Sequence, residues 1–224
     1  MYGRIGKKGD RPMAHQAGGR WQASRPAPGS YDVQAYLDDY AALLEAVQFP
    51  SVVFDHRWDV VLSNSAFETL FRGLSPHPTA MPWDNFLRFV LFHPDAGTVL
   101  GEHESRWCLP MLAHFRAAME LHGQDRGLHS ILRDIAQDPI MLAAYRHGLP
   151  HWIRSVGEHA LEPDGAVRPL THPDPKWGRT DCRIVEDTPK SLQEMGYTRM
   201  TLILREPRRT PRNRRAAASH LRVV

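Results

Sequence analysis

The stretch Phe49-Pro50-Ser51-Val52-Val53-Phe54-Asp55-His56-Arg57-Trp58-Asp59-Val60-Val61-Leu62-Ser63-Asn64 decides the fold. Ser51 to Phe54 and Trp58 to Leu62 are short runs rich in β-branched and aromatic residues, and the polar Asp55-His56-Arg57 between them is turn material, so the two runs predict a β-hairpin. On its N-terminal side Val33, Leu37, Tyr40, Leu44 and Val47 recur at helical spacing, with Asp32, Asp38, Asp39 and Glu45 mostly on the other face. With Ser30 as the candidate N-cap, this is an amphipathic helix ending near Pro50. On its C-terminal side Asn64 and Ser65 stand at a helix start ahead of Ala66, Phe67, Leu70 and Phe71.

Further along, apolar residues three or four apart mark helices over Asn85 to Phe92, Leu109 to His122, Leu128 to Ala136 and Ile140 to Arg146. Gly148 and Pro150 are expected to break the helical face that would otherwise bring His147 and His151 together. Strands return at Val167 to Leu170, Thr180 to Val185 and Thr198 to Arg205, where Met200, Leu202 and Leu204 alternate with Thr201 and Ile203. Strands at both ends with helices between them imply an α+β domain, an antiparallel sheet covered on one side by a long helical insert.

At 224 residues and 42% hydrophobic composition the chain suits one domain. It lacks an apolar run long enough to span a bilayer and an N-terminal secretory stretch, so a cytoplasmic protein without membrane insertion is expected. Cys108 and Cys182 are too few for a disulfide framework or a cysteine zinc site. The net charge of +3 is segregated: residues 1–30 carry +5 and residues 205–224 carry +6, which leaves about −8 on the body between them. Residues 1–30 and 208–224 read as disordered basic tails around a domain at 31–207. An acidic body is a poor match for a phosphate backbone.

The block Arg57-Trp58-Asp59-Val60-Val61-Leu62-Ser63-Asn64 resembles the opening signature of MmyB-like transcription-regulator ligand-binding domains. Asn85-Phe86-Leu87-Arg88 with Phe92, Phe115-Arg116-Ala117-Ala118, Asp138-Pro139 and Leu170-Thr171-His172-Pro173 follow in the same order. The resemblance covers about residues 31 to 207 and implies a PAS-like fold that binds apolar, fatty-acid-like small molecules. Members usually carry an N-terminal helix-turn-helix. The segment before Ser30 has neither the length nor the pattern for one, so specific DNA binding is not expected. Ser63, Met141 and Tyr145 stand where relatives have larger aromatic residues, and Asp174-Pro175-Lys176-Trp177 delays the glycine to Gly178, so a reshaped pocket is expected.

Trp58, Asn64, Phe86, Phe89, Phe92, Met111, Phe115, Tyr145 and Trp152 are the candidate ligand-binding residues, because small-molecule sites are concave and mostly apolar. The alternative for each is core packing, which apolar stripes usually serve. Thirteen histidines keep a second reading open, a haem-dependent enzyme on the same scaffold with His93, His151 or His172 as the axial ligand. A third is a protein-interaction module that contacts partners through its basic tails. No Gly-x-Ser-x-Gly elbow, phosphate-cradling loop or His-Glu-x-x-His occurs, so acyl transfer, nucleotide chemistry and zincin-type hydrolysis have no support. The partner expected is an apolar small molecule or haem, with homodimerisation left open.

Overall fold

The computed structural model describes residues 30–157 and 162–205, so the tails read from the sequence lie outside the described residues. Helix α1 (Ser30–Glu45) leads into the hairpin of β1 (Ser51–Asp55) and β2 (Val60–Ser63), followed by the insert: α2 (Ser65–Leu70), α3 (Phe86–Phe92), α4 (Ala96–Val99), α5 (Leu109–Leu121), α6 (Arg126–Gln137), α7 (Pro139–Ala143) and α8 (Leu149–Val156). The chain then completes the sheet with β3 (Val167–Thr171), β4 (Arg179–Glu186), the short α9 (Lys190–Glu194) and β5 (Tyr197–Leu204). All strand neighbours are antiparallel, in the order β2-β1-β5-β4-β3. This order puts the first and last strands side by side at the centre. The insert leaves from one edge strand and rejoins at the other, so it spans the width of the sheet.

Alternation along the strands divides the sheet into two faces. Val52 and Phe54 of β1, Ile184 of β4, and Met200 and Leu202 of β5 join Phe67, Phe86, Phe89, Leu112 and Phe115 of the insert in the main core. Burying each such side chain is worth roughly 1.5–3 kcal/mol. The opposite face is also covered, which departs from the one-sided sheet expected from the sequence. Leu37, Tyr40 and Leu44 of α1 enclose Val53 together with Leu192 of α9. The stripe that predicted an amphipathic helix therefore faces a second, smaller core behind β1.

Two motifs that are distant in sequence are joined at the hairpin. The Asp55 carboxylate accepts from the backbone N–H groups of Arg57 and Asp59 and from the Arg57 guanidinium, which tightens the turn. Asn85 caps α3 by accepting from the Arg88 N–H, and its amide donates to the Arg57 carbonyl and the Asp59 carboxylate. The Phe86 N–H donates to the Trp58 carbonyl. Arg57-Trp58-Asp59 and Asn85-Phe86-Leu87-Arg88 are thus two halves of one joint that fixes the insert to the sheet.

The expected break at Gly148 and Pro150 does not occur. A π-turn over Ala144–Gly148 links α7 to α8, with the Leu149 N–H donating to the Ala144 carbonyl. A second π-turn, Glu104–Cys108, feeds α5 in the same way. Each is followed by Leu-Pro, at Leu109-Pro110 and Leu149-Pro150. Proline has no N–H to give and its ring crowds the carbonyl one turn back, and the wider turn placed just before it lets the helical path continue.

Candidate ligand-binding cavity

Between the insert and the sheet lies a cavity of about 370 Å³. Helix α5 supplies one wall with Met111, His114, Ala117, Ala118 and Leu121, at helical spacing along one face. The sheet supplies the other with Phe54, Thr198, Met200, Ile184 and Glu186, which share a face by the two-residue period of their strands. Trp58 and Phe86 close the hairpin side, and Trp107 and Arg168 close the far side. His56 and His122 border the cavity with ring centroids 4.5 Å apart, and His56 Nε2 lies 3.1 Å from the Asp125 carboxylate.

Trp58 is held with φ of 62°, in the left-handed region that bulky residues avoid. Its N–H donates to the Asp55 carbonyl, so the turn sets this conformation and aims the indole at the cavity. Backbone strain of this kind persists where the surroundings over-determine it.

The polar fixtures are few, and they are the distinctive part. Arg168 is only 6% exposed, its guanidinium carbon sits 5.1 Å from the Trp107 ring centroid, and Glu186 attracts its charge. Burial lowers the guanidinium to about 10, with the nearby Arg106 charge adding to the effect. Burial, and then the Arg168 charge, lower His114 to about 4, so its ring is neutral at neutral pH, and its Nε2 is buried without a partner. Burial raises the Glu186 carboxyl above its ordinary value and Asp164 pushes it the same way, while the Arg168 charge acts against them. Among the described residues no group of three or more His, Cys, Asp or Glu is placed to hold a metal ion. The thiols of Cys108 and Cys182 are buried and pushed up to about 12 by burial, so both are inert.

Of the ligand-binding residues expected from the sequence, Trp58, Phe86 and Met111 line this cavity. Phe89 and Phe115 are wholly buried in the main core, with the Tyr145 ring centroid 6.0 Å from that of Phe115, and Phe92 borders a separate hollow beside Arg88. Trp152 lines an outer groove that shares Arg168 with the cavity. Asn64 ties the hairpin to α1 and α2 and lies outside the lining. His93, His151 and His172 are also outside it. His93 Nε2 meets the Ser75 carbonyl and its Nδ1 accepts from the Asp95 N–H, His151 is exposed, and His172 Nδ1 accepts from the Asp174 N–H.

Sequence reasoning passed over His114, Trp107, Arg168, Ile184 and Glu186. A signal existed for two of them: His114 falls within the Met111, Phe115, Ala118 stripe, and Arg168 shares a strand face with the buried Leu170.

Residues 38–146 match the family described as the MmyB-like transcription regulator ligand binding domain, and no helix-turn-helix family matches the chain. No curated protein matches it. The matched span contains the hairpin and α5 walls of the cavity; Arg168, Ile184, Glu186, Thr198 and Met200 lie beyond it.

Proposed function

We propose that the protein senses an apolar small molecule held between α5 and the sheet, a reading supported by the match of residues 38–146 to the MmyB-like transcription regulator ligand-binding domain. The observation that carries this reading is the cavity of about 370 Å³, within the ordinary size range of small-molecule sites and walled mostly by apolar side chains. An occupant touches α5, the hairpin and β4–β5 at once. Its binding energy therefore favours one placement of α5 over another, and the outer surface of the insert reports that placement to a partner. No helix among the described residues is long and apolar enough to cross a membrane.

The test uses the neutral dye N-phenylnaphthylamine, which fluoresces on entering apolar sites. The full chain is expected to take up the dye at one site, and Ala118→Trp, which fills the cavity from the α5 wall, is expected to abolish uptake with little change in melting temperature. Equal dye binding by Ala118→Trp places the apolar site elsewhere and overturns the reading.

A further inference from the structure

Rings dominate the cavity wall. Phe54, Trp58, Phe86 and Trp107 all border it, and the His56–His122 pair stands at one edge. The one polar atom of the Trp107 side chain is engaged, since its Nε1–H donates to the Pro169 carbonyl, so the indole offers the cavity apolar surface. The charged side chains of the lining are already answered. Arg168 and Glu186 attract one another, and the Asp55 carboxylate holds the Arg57 guanidinium. A carboxylate entering beside them would meet Glu186 as a like charge, as Asp164 already does, and would lose its hydration as well. One neutral group is left over. His114, on the α5 wall, has a buried Nε2 with no hydrogen-bond partner among the described residues. Its ring is neutral at neutral pH, so Nε2 donates in one tautomer and accepts in the other. A hydroxyl meets either tautomer because it both donates and accepts, whereas a carboxylate only accepts.

We propose that the cavity takes a neutral aromatic molecule with one hydroxyl group, its rings held among Phe54, Trp58, Phe86 and Trp107 and its hydroxyl on His114 Nε2. This rests on the cavity being the ligand site, and it adds the ligand's chemical class and the residue that selects it. Aromatic pairs in offset or edge-to-face arrangements gain attraction beyond the area they bury. A rigid ring system also has few bonds to freeze on entry, whereas a chain of the same carbon number must be ordered bond by bond. Arg168 and Glu186 keep their own partnership when such a molecule binds. An ion of either sign would meet one of them as a like charge, so the pair selects for neutrality.

Displacement of N-phenylnaphthylamine from the full chain at neutral pH tests each part. The hydroxyl is tested by 2-naphthol against naphthalene: the naphthol is expected to compete about tenfold better although it is the less apolar of the two. Decahydro-2-naphthol, which keeps the skeleton and the hydroxyl without the aromaticity, is expected to fall about fivefold below it. The carboxylates 2-naphthoate and decanoate are expected to compete about tenfold less well than 2-naphthol. In His114→Leu the ratio of 2-naphthol to naphthalene is expected to fall to about one, and His114→Gln, which keeps a donor and an acceptor, is expected to restore part of it. The ranking in the parent needs no variant, so it decides the matter even where a substitution harms the fold. Competition by naphthalene, decahydro-2-naphthol or either carboxylate equal to that of 2-naphthol overturns the inference and leaves the apolar site standing. So does a hydroxyl preference that survives in His114→Leu. Failure of the dye and of every competitor to bind overturns the cavity reading itself, and this inference with it.

Discussion

Asn64 spends its whole side chain on the protein. Its Oδ1 accepts from the Ser51 and Phe67 N–H groups, and its Nδ2 reaches the carbonyls of Leu44, Val47 and Phe49. Asn64→Ala removes an N-cap and strands buried backbone groups, so a loss of about 3 kcal/mol in urea unfolding is expected. Its capping role was legible from a polar residue ahead of Ala66 and Phe67; its hold on α1 was not, because no local pattern announces a bond across twenty residues. His114 supports a pH prediction. The unfolded chain protonates it near 6.5 and the folded protein only near 4, so stability is full above 6.5 and falls as pH drops towards 4, by up to about 3 kcal/mol. Comparing urea midpoints of the parent and His114→Leu between pH 7 and pH 4 checks this: the variant is expected to lose the smaller amount of stability. Arg168 was hard to read because arginine is ordinarily a surface residue, and a strand charge is assigned to the solvent face by default. His93, His151 and His172 were chosen for their apolar neighbours in sequence, whereas facing the cavity depends on helix phase and strand parity.

At the scale of elements, periodicity located the hairpin, the main insert helices and the late strands with ends displaced by a residue or two. It failed where the helix changed pitch. Gly148 and Pro150 read as a break because their individual propensities are poor, but a π-turn places them inside one helical path from Pro139 to Val156. Two glycines give a paired prediction. A methyl at Gly148 would sit 3.5 Å from the Leu109 side chain, an ordinary contact, so Gly148→Ala is expected to stabilise by about 0.5–1 kcal/mol. A methyl at Gly127 would meet Arg57 Cδ at 2.7 Å, next to the turn that aims Trp58, so Gly127→Ala is expected to destabilise or to shift Arg57. Thermal melts of the two variants check both signs. The second face of the sheet escaped the sequence reading for a related reason: the stripe on α1 declares that it is buried, but not against which side of the hairpin.

For the molecule as a whole, the charge of about −8 between residues 31 and 204 argues against duplex recognition by the folded body. Any DNA binding by the full chain is expected to be indifferent to sequence and to collapse between 50 and 200 mM salt in a filter-binding titration. A footprint that survives salt would refute this. Occupancy of the cavity is also measurable as stability: N-phenylnaphthylamine at a hundred times its dissociation constant is expected to add about 2.7 kcal/mol to the parent's stability and much less to that of Ala118→Trp.

The central pairing of β1 with β5 has a bearing on biosynthesis. Ser51 Oγ and Thr201 Oγ lie 2.9 Å apart although 150 residues separate them. While the ribosome is still extending the insert, β1 has its hairpin partner on one side and nothing on the other, so an unpaired strand edge waits in the open. Closure must be late and slow, since a long loop has to be gathered before any central contact repays it. The nascent chain is most at risk of aggregation in the interval before residue 204 emerges, when the walls of the future cavity already exist but the strand that seals them does not.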